Sequence, residues 1–230
     1  MKSSIRFLSC CAIAFAAGCG TGDEGEEAGA GETPPPAQPA DSQVAPPAAT
    51  LPAGYELRLD RANADASAFS ATQENGALVI RTGPHGILYR PESAVAQGDY
   101  AISATLTEHD APRDHRESYG IFFGGSDLQG DAQRYSYFLV RGDGQYNILR
   151  REGASTESLI NGWRASGAVR AGAGDYTNTL EVRVDGERVR FSINGTEVAA
   201  LPAERLDTHG IAGIRTSHNL NVRVADWSMR

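Results

Sequence analysis

The sequence predicts an all-β domain built from two stacked antiparallel sheets, and three observations support that fold class. Short apolar or alternating runs of strand length recur at close spacing between residues 52 and 230. No long segment of this part has the 3.6-residue period of an amphipathic helix. Asp185-Gly186 and Asn194-Gly195 are strong hairpin signals, because both turn positions need a positive φ. About a dozen strands in one domain favour two sheets over one.

The predicted strands follow one another in chain order, with turn-forming residues between them. Gly142-Asp143-Gly144 joins one pair, and Asp185-Gly186 joins the next clear pair. The predicted strands are 55–59, 77–81, 86–90, 100–107, 119–123, 135–141, 146–151, 179–185, 189–194, 210–216 and 220–229.

Side-chain alternation assigns the buried face of two neighbouring strands, because successive side chains of a strand point to opposite faces. The strands 179–185 and 189–194 each have one apolar face and one polar face. The residues predicted to point inward are Leu180, Val182, Val184, Val189, Phe191 and Ile193.

In the strand 135–141, alternation leaves the choice of the inner face open. Phe138 and Val140 lie on one side, and Tyr137 and Leu139 lie on the other. Both sides are apolar enough to be buried, so the pattern alone does not choose between them.

The hairpin 135–146, Tyr-Ser-Tyr-Phe-Leu-Val-Arg-Gly-Asp-Gly-Gln-Tyr, resembles a hairpin of concanavalin A-like (laminin G-like) jelly-roll domains. Such domains occur in bacterial secreted proteins, including the group called 3-keto-disaccharide hydrolase-like. The resemblance implies a two-sheet antiparallel jelly-roll sandwich with Phe138, Val140, Tyr146 and Ile148 facing the core. Further segments follow in the same order as in these domains: Leu159-Ile160, Trp163, 178–182, 184–186, 191–195, 210–214 and 222–227.

The resemblance also implies a candidate sugar-binding face on the other side of the same strands. Sugar binding needs flat aromatic rings and planar polar groups, and this face offers both. The alternative is that these are ordinary outward residues of half-exposed strands. The candidate carbohydrate-binding residues are Tyr135, Tyr137, Arg141, Asn147 and Arg151.

Two polar loops are candidate metal sites. His109 and Asp110 lie in a loop rich in histidine and carboxylates, which are ligands of divalent metals. Asp127 and Asp131 lie in a Gly-containing loop, where carboxylate oxygens suit Ca²⁺. The alternative in both cases is a solvated polar loop. No catalytic residue is assigned, because no hydrolase motif fits this sequence residue by residue.

The first 51 residues predict export and lipid anchoring. Lys2 and Arg6 precede an apolar run over 7–17, which is too short to span a membrane and is typical of a signal peptide. Ala16-Ala17-Gly18-Cys19 resembles the lipidation site of bacterial lipoproteins. The predicted organisation is a signal peptide over 1–18, a lipidated acidic and Pro-rich tether over 19–51, and the jelly-roll domain over 52–230.

Charge and cysteine content limit the classes of partner. Six of the 29 acidic residues lie in the tether, and Lys2 and Arg6 lie in the signal peptide. The predicted domain therefore keeps 23 acidic and 19 basic residues, a net charge of −4, which argues against nucleic acid. Cys10, Cys11 and Cys19 are the three cysteines, so the domain has no disulfide.

Three functional hypotheses follow from the sequence. The first is a non-catalytic carbohydrate-binding domain held at the cell envelope, on the outer membrane, through its N-terminal lipid. The second is a glycoside hydrolase-type enzyme that acts on a (3-keto-)disaccharide or glycan. The third is an envelope adaptor that binds another protein.

Overall fold

The computed structural model describes residues 48–95 and 98–230. The predicted signal peptide, Cys19 and most of the tether lie outside the described residues. Ala49 and Leu51 already pack against the core, and Thr50 forms a bridge with Ser70. The folded part therefore starts a few residues before the predicted boundary at 52. In the described ranges, no helix combines the length and the apolar character needed to cross a membrane.

The fold is all β, as predicted, and its named strands pair in antiparallel fashion. Two short 3₁₀ turns, Ala66–Ala68 and Ala203–Arg205, are the helical elements of the described part. The strands are β1 (Glu56–Leu59), β2 (Ser70–Glu74), β3 (Ala77–Arg81), β4 (Gly86–Val95), β5 (Tyr100–Ala111), β6 (Ser118–Ser126), β7 (Arg134–Arg141), β8 (Gln145–Glu152), β9 (Ser155–Ser158), β10 (Arg164–Ala165), β11 (Gly174–Asp185), β12 (Arg188–Ile193), β13 (Thr196–Pro202), β14 (Gly210–Thr216) and β15 (Asn221–Met229).

These strands form two sheets. The eight-stranded sheet has the order β1-β4-β14-β6-β7-β8, and both β9 and β10 pair with β8. The seven-stranded sheet has the order β13-β12-β11-β5-β15-β3-β2. Six of the 13 neighbouring pairs join strands that are far apart in the chain, because the chain crosses repeatedly between the two sheets. The predicted jelly-roll sandwich is confirmed.

All eleven predicted strands are present, and four further strands were not predicted. The missed strands are β2, β9, β10 and β13. They lie at sheet edges or beside β8, and most of their residues are exposed or half-buried. A strand that buries little apolar surface needs no apolar alternation, so its sequence carries a weak signal.

The core lies between the two sheets and contains the predicted inward residues. The rings of Phe138 from β7 and Phe191 from β12 are 5.2 Å apart and join the two sheets. The two inward sets predicted for β11 and β12 are 0–5% exposed. The four core residues implied by the resemblance, Phe138, Val140, Tyr146 and Ile148, belong to the same cluster.

The ambiguity of β7 has a structural reason, because both of its faces are buried. Its inner face belongs to the core, and its outer face belongs to a second apolar cluster on the far side of the eight-stranded sheet. We call that side the outer face. The second cluster consists of Ile87, Tyr89, Phe122, Leu128, Tyr135, Tyr137 and Leu139.

Candidate functional site

The outer face brings together the five residues predicted to bind carbohydrate. Tyr135 on β7 is paired with Arg151 on β8, and Leu139 is paired with Asn147. Since side chains alternate along each strand, Tyr135, Tyr137 and Arg141 share this face with Asn147 and Arg151. The assignment of the five to one face is therefore correct. Their role in binding remains a prediction.

Four of the five residues are buried. Tyr135 and Tyr137 are 1% and 4% exposed, so other protein atoms already cover their ring faces. Asn147 is also buried, and its Oδ1 accepts hydrogen bonds from the Ile148 backbone N–H (2.9 Å) and the Ser158 hydroxyl (2.8 Å). These contacts are structural, and they leave little surface for a sugar ring to stack upon.

An ion cluster lies on the outer face beside these residues. Asp60, which follows β1, accepts two hydrogen bonds from the Arg215 guanidinium, at 2.7 and 2.5 Å. Its Oδ1 also lies 3.2 Å from Nη1 of Arg151, so two arginines share one carboxylate. The Arg215 guanidinium carbon is 5.7 Å from the centre of the Tyr137 ring. The cluster ties the segment after β1 across the outer face.

The charges of this cluster shift the titration of its members. Burial alone would raise the pKa of the Asp60 carboxyl, but the hydrogen bonds and charge of Arg215 hold that pKa below its usual value. Burial raises the pKa of Tyr137 to about 12, and burial also raises the pKa of Tyr135. The two tyrosines are therefore neutral hydrogen-bonding groups at neutral pH.

Arg141 is the member of the predicted set that is not fully buried. Its Nε and Nη2 donate to the Asp143 carboxylate at 3.0 and 2.6 Å. Its guanidinium carbon lies 4.1 Å from the centre of the Trp163 ring, in a cation–π arrangement. The guanidinium therefore covers one face of this tryptophan.

The predicted metal residues fall into two separate places, and His109 and Asp110 lie within strand β5 rather than in the predicted loop. His109 Nδ1 is 2.7 Å from Asp175 Oδ2, and the Asp110 backbone N–H donates to Asp175 Oδ1 at 3.0 Å. Asp127 and Asp131 lie beyond the other end of β6, in the loop before β7. Strand β6 separates the two pairs, so the four residues do not form one cluster.

A different metal-ligating cluster was missed by the sequence reasoning. Within residues 48–95 and 98–230, the group of three potential ligand side chains that converge is His85, Glu117 and His218. They are far apart in the chain and follow no spacing motif. Each lies just outside a strand end, and only the strand order brings them together. Burial, followed by the charge of Arg215, lowers the pKa of His85 to about 4.

Two β-bulges open a groove at one edge of the sandwich. In the pairing of β4 with β14, Tyr89 lies opposite Gly213 and Ala94 lies opposite Ile211, so the register changes between these two pairs. Residues 90–93 therefore bulge out of the ladder. In β15, the register with β5 changes between Ala225 and Ser228. Bulges redirect side chains and often lie beside functional sites.

The groove between these bulges, which we call the edge groove, has a volume of about 360 Å³. The two bulges face each other across the gap between the sheets. The apolar floor is formed by Leu78, Leu88, Ile214 and Val224. The rim carries Tyr55, Gln73, Arg90, Glu92, Asp226 and Trp227.

The rim of the edge groove combines partly exposed aromatic residues with planar polar groups. Tyr55 and Trp227 are half-buried, and the charged and amide side chains beside them are exposed. The Arg90 guanidinium carbon lies 5.6 Å from the centre of the Tyr55 ring, and Arg90 Nη2 is 2.5 Å from Glu92 Oε1. Asp226 has φ of +51°, so the left-handed backbone at the bulge sets the direction of the next residue, Trp227.

No protein-family model matches this chain, and no curated protein matches it. Solved structures do match its fold. The carbohydrate-binding module CBM66 from Bacillus subtilis is 9% identical, with a TM-score of 0.57 over 77% of this chain and 95% of that chain. The metal-free carbohydrate recognition domain of Emp46p is 9% identical, with a TM-score of 0.55 over 76% of this chain and 87% of that chain. The chain thus has the concanavalin A-like jelly-roll fold.

Proposed function

We propose that this domain binds carbohydrate, and that the edge groove is the binding site. The observation that carries the proposal is the pair of partly exposed aromatic residues, Tyr55 and Trp227, on the rim of a concave site that also holds charged and amide groups. Ligand sites are typically concave and largely apolar, with a few polar groups that fix the ligand's orientation.

The chemistry of the groove fits a sugar better than an apolar ligand. A pyranose has one face of C–H groups that can pack on an aromatic ring, and it has hydroxyls that pair with planar groups. Arg90, Glu92 and Asp226 provide donors and acceptors of that kind at the rim. The similar solved structures are named as a carbohydrate-binding module and a carbohydrate recognition domain, which supports the same class of ligand.

A glycan array probed with the purified protein tests this proposal, together with its Trp227→Ala variant. We expect discrete glycan hits, and we expect Trp227→Ala to weaken them by about tenfold or more, equivalent to about 1.4 kcal/mol. Trp163→Ala is the matched control, because Trp163 is the other tryptophan and lies on the outer face. An array without hits would contradict carbohydrate binding.

The same array distinguishes the edge groove from the outer face predicted by sequence. If sugar binds the outer face, Trp163→Ala and Arg141→Ala will remove the hits, and Trp227→Ala will not. That result would overturn the assignment to the groove and leave carbohydrate binding intact. Tyr137→Ala is less informative, because Tyr137 is buried and its removal also destabilises the fold.

The resemblance to 3-keto-disaccharide hydrolase-like domains raises the question of whether the protein cleaves the sugars that it binds. Incubation of the protein with the oligosaccharides that bind on the array, followed by product analysis, tests this. Glu108 is 1% exposed and forms hydrogen bonds with Tyr176 and His115. These contacts give Glu108 a structural role. We therefore propose binding without cleavage, and release of product from a bound oligosaccharide would contradict this part of the proposal.

We further propose that the protein is anchored to the cell envelope by a lipid on Cys19. This proposal rests on the sequence of residues 1–19, which lie outside the described residues. Expression of the full chain and its Cys19→Ser variant in a Gram-negative host tests it. We expect the parent chain in the membrane fraction and the variant in the soluble exported fraction. Equal distribution of the two would contradict lipidation.

A further inference from the structure

Three side chains with metal-ligating atoms meet at one end of the eight-stranded sheet. His85 directly precedes β4, Glu117 directly precedes β6, and His218 follows the end of β14. Strand β14 lies between β4 and β6 and is antiparallel to both. The end of β14 therefore meets the beginnings of its two neighbours, and the sheet topology alone brings the three residues together.

The three donor atoms converge, but the two ring nitrogens are in hydrogen-bond contact. His85 Nε2 is 2.5 Å from His218 Nδ1, and Glu117 Oε2 is 3.9 Å from the former and 3.7 Å from the latter. Two ligand atoms of a tetrahedral zinc ion lie about 3.3 Å apart, so the two rings must separate by about 0.8 Å for both nitrogens to bind one ion. Zinc binds histidine nitrogen and carboxylate oxygen at about 2.0–2.2 Å.

The charge of the cluster is compatible with a bound cation. Among the described residues, the basic groups within 4.0 Å of the Glu117 carboxylate are these two imidazoles. The facing nitrogens of two neutral imidazoles share one N–H···N hydrogen bond, and a metal ion can replace that proton. A metal ion at the centre would use both nitrogen lone pairs and would balance the carboxylate charge.

Neighbouring groups hold these side chains in position. Asp60 Oδ2 lies 3.9 Å from His85 Nδ1, the ring nitrogen that does not face the cluster. A carboxylate there favours a proton on Nδ1 and leaves Nε2 free to bind metal. The His218 backbone N–H donates to Glu117 Oε2 at 3.1 Å and so holds the carboxylate beside the two rings.

The cluster borders a cavity that gives access from solvent. The cavity has a volume of about 510 Å³, and His85 and His218 form part of its wall. Asp60, Asn63 and Asp65 also line it. An ion held by three protein ligands keeps a fourth position for water or another ligand, and here that position would be open to the cavity.

We propose that His85, Glu117 and His218 bind one divalent transition-metal ion of the zinc class. Two imidazole nitrogens and one carboxylate oxygen form the ligand set. Nitrogen ligands favour zinc and the other late first-row transition metals over Ca²⁺, which takes oxygen ligands. This site is distinct from the edge groove and from the predicted Ca²⁺ ligands Asp127 and Asp131.

Isothermal titration of the full, untagged chain with ZnCl₂ tests the proposal, after removal of metal with a chelator. The chain's three cysteines, Cys10, Cys11 and Cys19, are alkylated first so that they do not bind zinc. We expect one equivalent of zinc to bind and to raise the melting temperature. Glu117→Gln and His218→Ala should weaken binding by about 100-fold or more, because loss of a supporting group alone costs about 10- to 100-fold.

His209→Ala is the matched control, because His209 is an exposed histidine beside Thr208 and lies outside the cluster. It should bind zinc like the parent chain. Absence of zinc binding by the parent chain would overturn the proposal. Equal binding by the parent, Glu117→Gln and His218→Ala would overturn it too, because the zinc would then lie elsewhere. Glu117→Gln keeps the shape of the side chain, and circular dichroism confirms that each variant is folded.

Discussion

At the scale of single residues, Asp60 is the side chain on which most of the outer face depends. It pairs with Arg215, which is 6% exposed, and with Arg151, which is 7% exposed. Removing one partner of a buried ion pair leaves an uncompensated charge, and that loss is much larger than the net value of the intact pair.

Asp60→Asn should therefore lower the free energy of unfolding by about 3 kcal/mol. Urea denaturation of the full chain measures this loss. The control is Asp175→Asn, because the Asp175 side chain is 58% exposed in its pair with His109 and such surface pairs contribute about 0–1 kcal/mol. Equal effects of the two substitutions would show that the Asp60 cluster does not hold the outer face together.

Alternation along β7, together with the family resemblance, placed Tyr135, Tyr137 and Arg151 on one face, and the structure agrees. Alternation reports which face a side chain is on, but not whether a loop covers that face. Asp60 is 155 residues from Arg215 in the chain, so no local pattern indicates their contact. The burial of the predicted sugar face was unpredictable for this reason.

At the scale of elements, β6 and β7 approach each other closely where β6 has a glycine. A Cβ atom added to Gly120 would lie 2.0 Å from the Phe138 carbonyl oxygen, which is part of the backbone of the neighbouring strand. A backbone atom of a paired strand cannot move aside without disturbing the ladder. The absence of a side chain at this position lets the two strands pair.

Gly120→Ala should lower the free energy of unfolding by about 1–3 kcal/mol, because overpacking forces the backbone to shift. The matched control is Gly167→Ala, since an added Cβ at Gly167 meets no atom within 4 Å. Thermal unfolding of both variants measures the difference. A melting temperature for Gly120→Ala equal to that of the parent chain would contradict the close approach.

Hairpins were predicted from sequence, and bulges were not. The turn at Asp185-Gly186 fixed the pairing of β11 with β12, and the faces of both strands followed from it. The bulge at residues 90–93 was not predicted: Pro91 marks it, because proline cannot donate to a ladder and is confined to edges and bulges, but the predicted strand ended at residue 90. Tyr55 and Trp227 were therefore assigned to strands, and their meeting at the edge groove was not expected.

At the scale of the whole molecule, the two sheets form a stable frame, and candidate sites lie where the sheets end or separate. The edge groove lies where bulges open the sandwich, and the three-ligand cluster lies where strands of one sheet begin and end. The described surface thus offers two candidate sites. One has side chains suited to a carbohydrate, and the other has side chains suited to a metal ion.

Tryptophan fluorescence tests the central claim, carbohydrate binding at the edge groove, most directly. The chain has two tryptophans, so Trp163→Phe leaves Trp227 as its single tryptophan reporter. Titration of this variant with the oligosaccharide that gives the strongest array signal should shift and quench the emission in a saturable way. Unchanged Trp227 emission at oligosaccharide concentrations that saturate binding would contradict the account, because the sugar would then bind elsewhere.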